Sequence, residues 1–174
     1  MNQAFFLDRD GVINKDHGYV HSWDNFDFID QTIEALELIQ KNGYLIIIIT
    51  NQAGIARGYY QESDFWKLMN QFNRHVSSRN IEIDGIYFCP HHPEGSIPQY
   101  RHHCACRKPE PGMIYLAAAE HRIDLSRSYL VGDKVSDIQA GIQSGLKESF
   151  IIDPHPNSLA RNFNSLFDCV NSVL

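Results

Sequence analysis

Apolar positions in this sequence form two kinds of segment, which alternate along the chain. Short, unbroken apolar runs predict strands, because the buried strands of a parallel sheet read as continuous hydrophobic stretches. These runs lie at 4–7, 44–50, 85–88, 129–131 and 150–152. Longer segments with apolar residues three and four positions apart predict amphipathic helices. We expect helices at 31–41, 62–79 and 111–121, one beginning at 136, and one from 158 onward.

Several of these boundaries carry local signals of their own. Asn42 and Gly43 follow the first helix as a C-terminal cap. Pro111 suits the first position of a helix, where a main-chain N–H is not needed. Ser136 and Gln139 match the two ends of a capping box. The alternation of strand and helix predicts an α/β fold with a doubly wound parallel sheet, in a single domain over residues 1–174.

Two carboxylates directly follow the first predicted strand. Asp8 and Asp10 stand two positions apart, so on an extended chain both side chains point to the same side. Gly11 after them indicates an abrupt turn. Open α/β folds bind ligands at the carboxyl ends of their strands, and two close anions require a cation or a shared proton. We therefore expect a chemical site here; a solvated turn with two surface acids is the alternative.

Further polar segments supply the other groups that phosphoryl transfer requires. The four segments concerned are Asp8-Arg9-Asp10, Thr50-Asn51-Gln52, Arg107-Lys108-Pro109 and Gly132-Asp133-Lys134. Carboxylates bind Mg²⁺ through hard oxygen atoms, and the metal lets an anionic nucleophile approach an anionic phosphate. Thr50 and Asn51 can hold phosphate oxygens, and Lys108 can neutralise charge in the transition state. Each segment alone is ambiguous, but their order and placement together predict phosphoryl chemistry.

The overall composition narrows the classes of function. The formal charge is −6 and the pI about 5.8, which argues against broad binding to nucleic acid or to anionic membranes. The longest apolar run, 45–49, is far too short for a transmembrane helix, and the N-terminus lacks the basic region of a signal peptide. We therefore expect a cytoplasmic monomer whose partner is a small molecule.

Cysteine and histidine cluster in residues 89–109, here called the Cys-His loop. Cys89, Cys104 and Cys106 offer three thiols, and one histidine would complete a tetrahedral zinc site. The candidates for that ligand are His91, His92, His102 and His103. Four protein ligands leave no position for water, so the predicted role of zinc is structural. Buried cysteines with surface histidines are the alternative, and Cys169 is expected in the core.

These motifs resemble those of the haloacid dehalogenase-like phosphatases. The motifs of that family match Asp8-Arg9-Asp10-Gly11, Thr50, Lys108 and Gly132-Asp133. The resemblance implies a Rossmann-like fold, with Asp8 as a nucleophile that forms an aspartyl-phosphate and Asp10 as general acid and base. It also implies Mg²⁺ bound by Asp8, Asp133 and the main-chain carbonyl of Asp10. Asp137 keeps two open roles, one linked to the metal and one at the start of a helix.

A narrower resemblance covers most of the chain, to about residue 152. It is carried by Asp16-His17-Gly18-Tyr19-Val20, the segment 50–58, Cys89-Pro90-His91-His92-Pro93 and the segment 104–109. These blocks are similar to the heptose bisphosphate phosphatase family, whose members remove one phosphate, usually at C7, on the route to nucleotide-activated heptose and lipopolysaccharide. The resemblance selects His91 as the zinc ligand. The substrate-binding positions that it implies are Asp16, His17, Gly18, Tyr19, Asn51, Gln52, Ala53, Arg107 and Lys134.

The spacing of the motifs bears on the size of the site, and two other functions remain as alternatives. The intervals from Asp10 to Thr50 and from Thr50 to Lys108 are filled by predicted elements and the Cys-His loop, so we expect no cap domain and an open site. Arg107 is expected to hold the second phosphate of a bisphosphate. Histidinol-phosphate phosphatase is the nearest alternative. A non-catalytic phosphate-sensing domain is an alternative of another class, since fold alone does not determine function.

Overall fold

The structure is a computed structural model that describes residues 1–153 and 159–174. Within these residues, six parallel strands form one sheet. They are β1 (Ala4–Leu7), β2 (Leu45–Asn51), β3 (Gly85–Cys89), β4 (Tyr129–Gly132), β5 (Glu148–Ile152) and β6 (Arg161–Phe163). Their order across the sheet is β3-β2-β1-β4-β5-β6. The chain winds first to one side of β1 and then to the other, which confirms the predicted doubly wound sheet.

Helices cover both faces of this sheet. Those of the described residues are α1 (Thr32–Lys41), α2 (Ala53–Ala56), α3 (Glu62–Ser77), α4 (Gly112–His121), α5 (Val135–Ser144) and α6 (Leu166–Val173). Helices α1, α3 and α6 pack on one face, and α4 and α5 pack on the other. None of the helices in the described ranges combines the length and the apolar character needed to cross a membrane.

The unbroken apolar runs follow from burial on both faces. In β1, Phe5 and Leu7 belong to the core cluster beneath α1, α3 and α6, whereas Ala4 and Phe6 belong to the cluster beneath α4 and α5. All four residues of β1 are fully buried. Because successive side chains of a strand point to opposite faces, a strand between two helical layers needs apolar residues at every position.

Most predicted boundaries lie close to the observed ones, but two predictions at element ends are wrong. Helix α5 begins at Val135, two residues earlier than the predicted capping box of Ser136 and Gln139 requires, and the Asp137 carboxylate accepts from the main-chain N–H of Lys134 at its start. The C-terminal helix begins at Leu166, not near 158, and the strand β6 precedes it. Residue 158 itself lies outside the described residues. Cys169 is fully buried in the core, as expected.

The topology brings three of the predicted segments together. Leu7 at the end of β1 pairs with Ile48 of β2 on one side and with Val131 of β4 on the other. The residues that follow these strands therefore meet at one edge of the sheet, where the strand order changes direction. Lys108 reaches this edge from the Cys-His loop, which leads from β3 towards α4.

Candidate active site

A buried ion pair forms the centre of this edge. Asp8 is only 5% exposed, and its Oδ1 accepts a hydrogen bond from Nζ of Lys108 at 2.9 Å. The same ammonium lies 2.6 Å from Oδ1 of Asp137 and donates to the main-chain carbonyl of Ile49 at 2.9 Å. An ammonium has three N–H donors, so each donor of Lys108 has an acceptor. This arrangement fixes the charge of Lys108 directly beside the carboxylate of Asp8.

Asp137 links the start of α5 to Lys108. Its Oδ2 accepts hydrogen bonds from the main-chain N–H groups of Asp133 and Lys134, at 3.1 and 3.0 Å, while its Oδ1 faces Lys108. A Cβ atom at Gly132 would lie 2.2 Å from the Cβ of Asp137, so this close approach requires glycine. The helix-capping role that the sequence left open for Asp137 is therefore present, and the same carboxylate also orients Lys108.

The carboxylates at this edge form a set that fits Mg²⁺. Oxygen atoms of Asp8, Asp133 and Asp137 lie within 4.8 Å of one another. Oδ1 of Asp133 is buried and has no hydrogen-bond partner among the described residues. Burial, with a further contribution from the neighbouring acids, raises the pKa of Asp8 to about 8, even though Lys108 acts in the opposite direction. A bound Mg²⁺ would use these carboxylates as hard oxygen ligands and give the unpaired oxygen of Asp133 a partner. It would also offset the negative charge whose crowding contributes to the raised pKa of Asp8.

Asp10 is held by donors on both of its oxygens. Oδ1 accepts hydrogen bonds from Nη2 of Arg9 at 2.8 Å and from Nδ2 of Asn14 at 3.0 Å. Oδ2 accepts one bond, from Nε2 of Gln52 at 3.2 Å. The Asp10 side chain remains 16% exposed, whereas that of Arg9 is buried. Oδ2 is therefore the oxygen with the free hydrogen-bonding capacity that proton transfer needs.

Gln52 connects Asp10 to Thr50. The hydroxyl of Tyr60 donates to Oε1 of Gln52 at 2.5 Å, and Nε2 of Gln52 donates to Oγ1 of Thr50 at 2.8 Å as well as to Asp10. A hydroxyl that donates to Oε1 fixes which end of the amide faces Asp10. Thr50 itself is 1% exposed.

Asn51 holds the main chain of Lys108. Its Nδ2 donates to the carbonyl of Lys108 at 3.1 Å, and its Oδ1 accepts from the N–H of Lys108 at 3.0 Å. This pair of hydrogen bonds ties the end of β2 to the last residues of the Cys-His loop. Both ends of the Asn51 amide are thus engaged in positioning Lys108.

A cleft of about 570 Å³ opens beside the buried groups. The predicted site residues that line it are Asp10, Asp16, Gly18, Tyr19, Asn51, Gln52, Ala53, Arg107, Lys108 and Lys134. Nζ of Lys134 lies 3.6 Å from Oδ2 of Asp16, and both of these side chains are partly exposed. His17 does not line the cleft; its Nε2 lies 2.5 Å from Oδ2 of Asp27 on the surface.

The Cys-His loop brings four predicted zinc ligands together. Sulfur atoms of Cys89, Cys104 and Cys106 lie 2.9 to 3.3 Å apart, and Nδ1 of His91 lies 3.4 Å from Cys106 and 3.6 Å from Cys89. Ligand atoms on one zinc ion lie about 3–4 Å apart, given Zn–S bonds of about 2.3 Å. Hydrogen bonding, chiefly from Cys89, lowers the pKa of the Cys106 thiol to about 5, which favours the thiolate that a metal binds. The four residues therefore fit a closed tetrahedral zinc site.

This cluster stands next to the residues that line the cleft. Nη1 of Arg107 donates to the main-chain carbonyl of His91 at 3.4 Å. The carbonyl of Ala105, between two of the cysteines, accepts from the N–H of Gly112 at 2.9 Å, at the start of α4. The loop is thus attached on both sides, which sets where Arg107 and Lys108 enter the cleft.

Comparison with known proteins identifies the family. A family model described as polynucleotide kinase 3 phosphatase matches residues 3–162. The D-glycero-beta-D-manno-heptose-1,7-bisphosphate 7-phosphatase of Escherichia coli (strain K12) is 46% identical over 149 residues, which cover 86% of this chain and 78% of that protein. The protein of the same name from Haemophilus influenzae is 47% identical over 152 residues, covering 87% of this chain and 82% of its own. This chain belongs to the heptose bisphosphate phosphatase family.

A solved structure supports the same family. D,D-heptose 1,7-bisphosphate phosphatase from B. bronchiseptica, crystallised with magnesium and phosphate, has a TM-score of 0.83 and 27% identity, covering 98% of this chain and 97% of its own. The chain is therefore a phosphoric monoester hydrolase with the haloacid dehalogenase-like fold, as its motifs predict.

Sequence reasoning missed three residues of this phosphatase site. Arg9 and Asn14 are buried and hold Asp10, and Tyr60 holds Gln52. Arg9 carried one available signal, since it is a charged residue between two aspartates at the end of a buried strand. Asn14 and Tyr60 carried none, because their partners are set by turns and packing that local patterns do not encode.

Proposed function

We propose that this enzyme removes the C7 phosphate of D-glycero-D-manno-heptose 1,7-bisphosphate and releases heptose 1-phosphate for the synthesis of nucleotide-activated heptose and lipopolysaccharide. The observation that carries the proposal is the buried Asp8–Lys108 pair next to a cleft that Arg107 and Lys134 also line. A bisphosphate needs a reactive centre for one phosphate and separate cations for the other. Relatives at 46–48% identity that are named for this substrate support the choice.

The proposed cofactor of the reaction is Mg²⁺. Asp8, Asp133 and the main-chain carbonyl of Asp10 would hold it, and the unpaired buried oxygen of Asp133 supports that assignment. When bound, the ion supplies positive charge that favours the ionised form of Asp8 and reduces its repulsion from the phosphate. The solved relative that contains magnesium and phosphate is consistent with this requirement.

The protein's own residues account for the proposed covalent mechanism. In the first step an oxygen of Asp8 bonds to phosphorus, the bond from phosphorus to the sugar oxygen breaks, and Oδ2 of Asp10 gives its proton to that oxygen. In the second step Asp10 takes a proton from water, whose oxygen attacks phosphorus and breaks the bond to Asp8. Inorganic phosphate leaves, and both aspartates return to their starting states. Lys108 orients Asp8 throughout and offsets negative charge near the phosphate.

The Cys-His loop is proposed to bind Zn²⁺ as a structural ion. The closed set of Cys89, His91, Cys104 and Cys106 supports this role, since it leaves no ligand position for water. A cytoplasmic location, a monomeric state and a single domain over 1–174 stay predictions of the sequence.

One comparison of substrates tests the proposed function. We expect Mg²⁺-dependent release of one phosphate from heptose 1,7-bisphosphate, with a higher kcat/KM than for histidinol phosphate. Both anomers of the bisphosphate should be assayed, and the product should retain the phosphate at C1 by NMR. A higher kcat/KM for histidinol phosphate would contradict the proposed substrate. Loss of the C1 phosphate instead would contradict the proposed position of cleavage.

The covalent step has its own test in Asp8→Asn. An amide is a poor nucleophile, so we expect this variant to lose turnover while it keeps its fold, measured as phosphate release and by circular dichroism. Asp168→Asn removes an exposed carboxylate on α6 that does not line the cleft and serves as the control. A near-normal rate for Asp8→Asn would refute the aspartyl-phosphate.

A further inference from the structure

Arg9 is a buried cation that the mechanism above does not use. It lies between Asp8 and Asp10 and is 1% exposed. Its Nη2 donates to Oδ1 of Asp10 at 2.8 Å and to the main-chain carbonyl of Val20 at 2.6 Å. Its Nε and Nη1 are also buried, and neither has a hydrogen-bond partner among the described residues. The guanidinium carbon lies 5.9 Å from the centroid of the Phe65 ring.

Such an arrangement is costly for stability. Burial of a charge and of unpaired N–H donors opposes folding, because these groups lose their hydration without gaining a full set of partners. The contact with Phe65 recovers only a small part of this cost. Residues that break the rules of stable packing are most often found where function requires them. The role of Arg9 is then expected in the two groups that accept its hydrogen bonds, Asp10 and the carbonyl of Val20.

The bond to Asp10 determines which of its oxygens remains available. Arg9 and Asn14 both donate to Oδ1, and Asn14 is fully buried. The main-chain carbonyl of Arg9 accepts from the N–H of Asn14, in the turn that brings Asn14 back to Asp10. With Oδ1 occupied by two fixed donors, the plane of the carboxylate is set. Oδ2 is then the oxygen that can exchange a proton with a group in the cleft.

The bond to Val20 extends this control to the wall of the cleft. Val20 ends the segment 16–20, in which Asp16, Gly18 and Tyr19 line the cleft. One nitrogen atom of Arg9 therefore joins the carboxylate of Asp10 to the segment expected to contact the sugar. A substrate that orders this segment would be coupled through Arg9 to the orientation of Asp10.

We propose that Arg9 is a positioning residue that, together with Asn14, holds Asp10 with Oδ2 towards the substrate and links this orientation to the segment 16–20. The inference rests on the proposed function, because it requires Asp10 to be the general acid and base. Arg9 itself contacts neither the substrate nor the reacting atoms. Its contribution is expected in the chemical steps and not in binding of the ground state.

The test uses Arg9→Met and Asn14→Ala, each alone and combined with Asp10→Asn. We expect Arg9→Met to lower kcat at least about tenfold, as loss of a hydrogen bond to a charged group does, with KM within about threefold of the wild type. Circular dichroism should match that of the wild type, which shows that the fall in kcat is not a loss of fold. In the Asp10→Asn background, either substitution should change the residual kcat by less than about twofold, because the group that it positions no longer transfers protons.

Asn73→Ala is the matched control for Asn14→Ala. Oδ1 of Asn14 and Oδ1 of Asn73, on α3, are both buried without a hydrogen-bond partner among the described residues. Asn73 has no contact with Asp10. We expect this variant to keep the wild-type kcat and KM. Arg9→Lys retains the charge with a shorter reach, and we expect its kcat to fall between those of the wild type and Arg9→Met.

Two outcomes would overturn the inference. One is an equal fall in kcat in the wild-type and Asp10→Asn backgrounds, and the other is a wild-type kcat for both Arg9→Met and Asn14→Ala. If Arg9→Met does not fold, Asn14→Ala in the two backgrounds decides the matter. Failure of the proposed function is recognised separately, because Asp10→Asn alone would then keep the wild-type rate.

Discussion

Lys108 shows how burial fixes a charge beside Asp8, the proposed nucleophile. Burial alone would lower the pKa of this ammonium, but Asp137 and Asp8 outweigh that effect and raise it above the ordinary value for lysine. Lys108 is therefore charged at neutral pH despite its burial. The ammonium of an exposed lysine donates its hydrogen bonds to water, whereas that of Lys108 donates to two carboxylates and a carbonyl. The sequence predicts Lys108 as a site residue, but its burial and its three fixed hydrogen bonds are visible only in the structure.

Gly11→Ala is a test of the predicted magnesium site at the level of one atom. Gly11 has a φ of +87°, and a Cβ added there would lie 2.3 Å from Oδ2 of Asp133. The added methyl group must therefore displace the Asp133 carboxylate. We expect the Mg²⁺ concentration for half-maximal activity to rise at least about tenfold, since a lost or misplaced ligand weakens metal affinity by about that amount. A magnesium titration of the phosphatase activity measures it.

Gly43→Ala provides the matched control for this substitution. Gly43 has a φ of +78°, but no atom lies within 4 Å of the position of an added Cβ. Both variants carry the cost of a left-handed backbone, about 1–2 kcal/mol, and only Gly11→Ala also displaces Asp133. An unchanged magnesium requirement in Gly11→Ala would show that Asp133 does not bind the ion.

At the scale of elements, apolar patterns predict a strand or helix well when residues next to it in the sequence determine where it begins and ends. Strand β1 is predicted without error, because its four apolar residues are bounded by polar ones and buried on both faces. The strand β6 is missed, since Arg161–Phe163 contains one apolar residue and owes its extended form to pairing with β5. The α5 cap is misplaced by two residues because Asp137 reaches the main chain of Lys134 instead of acting as an interior residue.

We predict that the order of the Cys-His loop depends on a bound zinc ion. Its cluster holds Arg107 through the His91 carbonyl and leads directly into Lys108. Removal of zinc by a chelator, or by Cys104→Ser, should therefore make residues 89–109 sensitive to protease and lower kcat/KM. Metal analysis, limited proteolysis and kinetics at saturating Mg²⁺ measure the three effects. The magnesium requirement should remain as in the wild type, because Asp8 and Asp133 lie on other elements.

Cys169→Ser is the control for this prediction. Cys169 is a fully buried core residue on α6 and not part of the cluster, so the variant should keep its zinc and its protease resistance in the loop. Wild-type kinetics in a fully zinc-free sample would contradict a structural role of the ion.

At the scale of the whole molecule, the sequence predicts which segments meet but not which partners their side chains bind. Parallel strands must end at a common edge, so the meeting of Asp8, Thr50 and Asp133 follows from topology. The use of Asn51 as a clamp on the Lys108 main chain does not follow, because it depends on the path of a loop far along the chain. His17 likewise pairs with Asp27 and not with the cleft, although it stands in the same short motif as Tyr19.

The cleft as a whole indicates which residue would provide the proposed selectivity for a bisphosphate. Of the cations that line the cleft, Lys108 is turned towards Asp8 and Lys134 lies 3.6 Å from Asp16. Arg107 has no acidic partner among the described residues, so it is the cation most available to a second phosphate. An arginine has five N–H donors, so the bond from Nη1 of Arg107 to the His91 carbonyl, at 3.4 Å, positions the guanidinium and leaves other donors for a ligand. Arg107 is therefore the residue expected to separate bisphosphates from monophosphates.

Arg107→Met should remove this discrimination. We expect kcat/KM for heptose 1,7-bisphosphate to fall about 10–100-fold, the effect of losing hydrogen bonds to a charged group, while kcat/KM for an aryl monophosphate stays within about twofold. Arg101→Met is the control, because Arg101 is an exposed arginine of the same loop that does not line the cleft. An equal fall for both substrates would mean that Arg107 acts on the reacting phosphate. Since the second phosphate is present only in the bisphosphate, the ratio of the two kcat/KM values separates the two roles in one measurement.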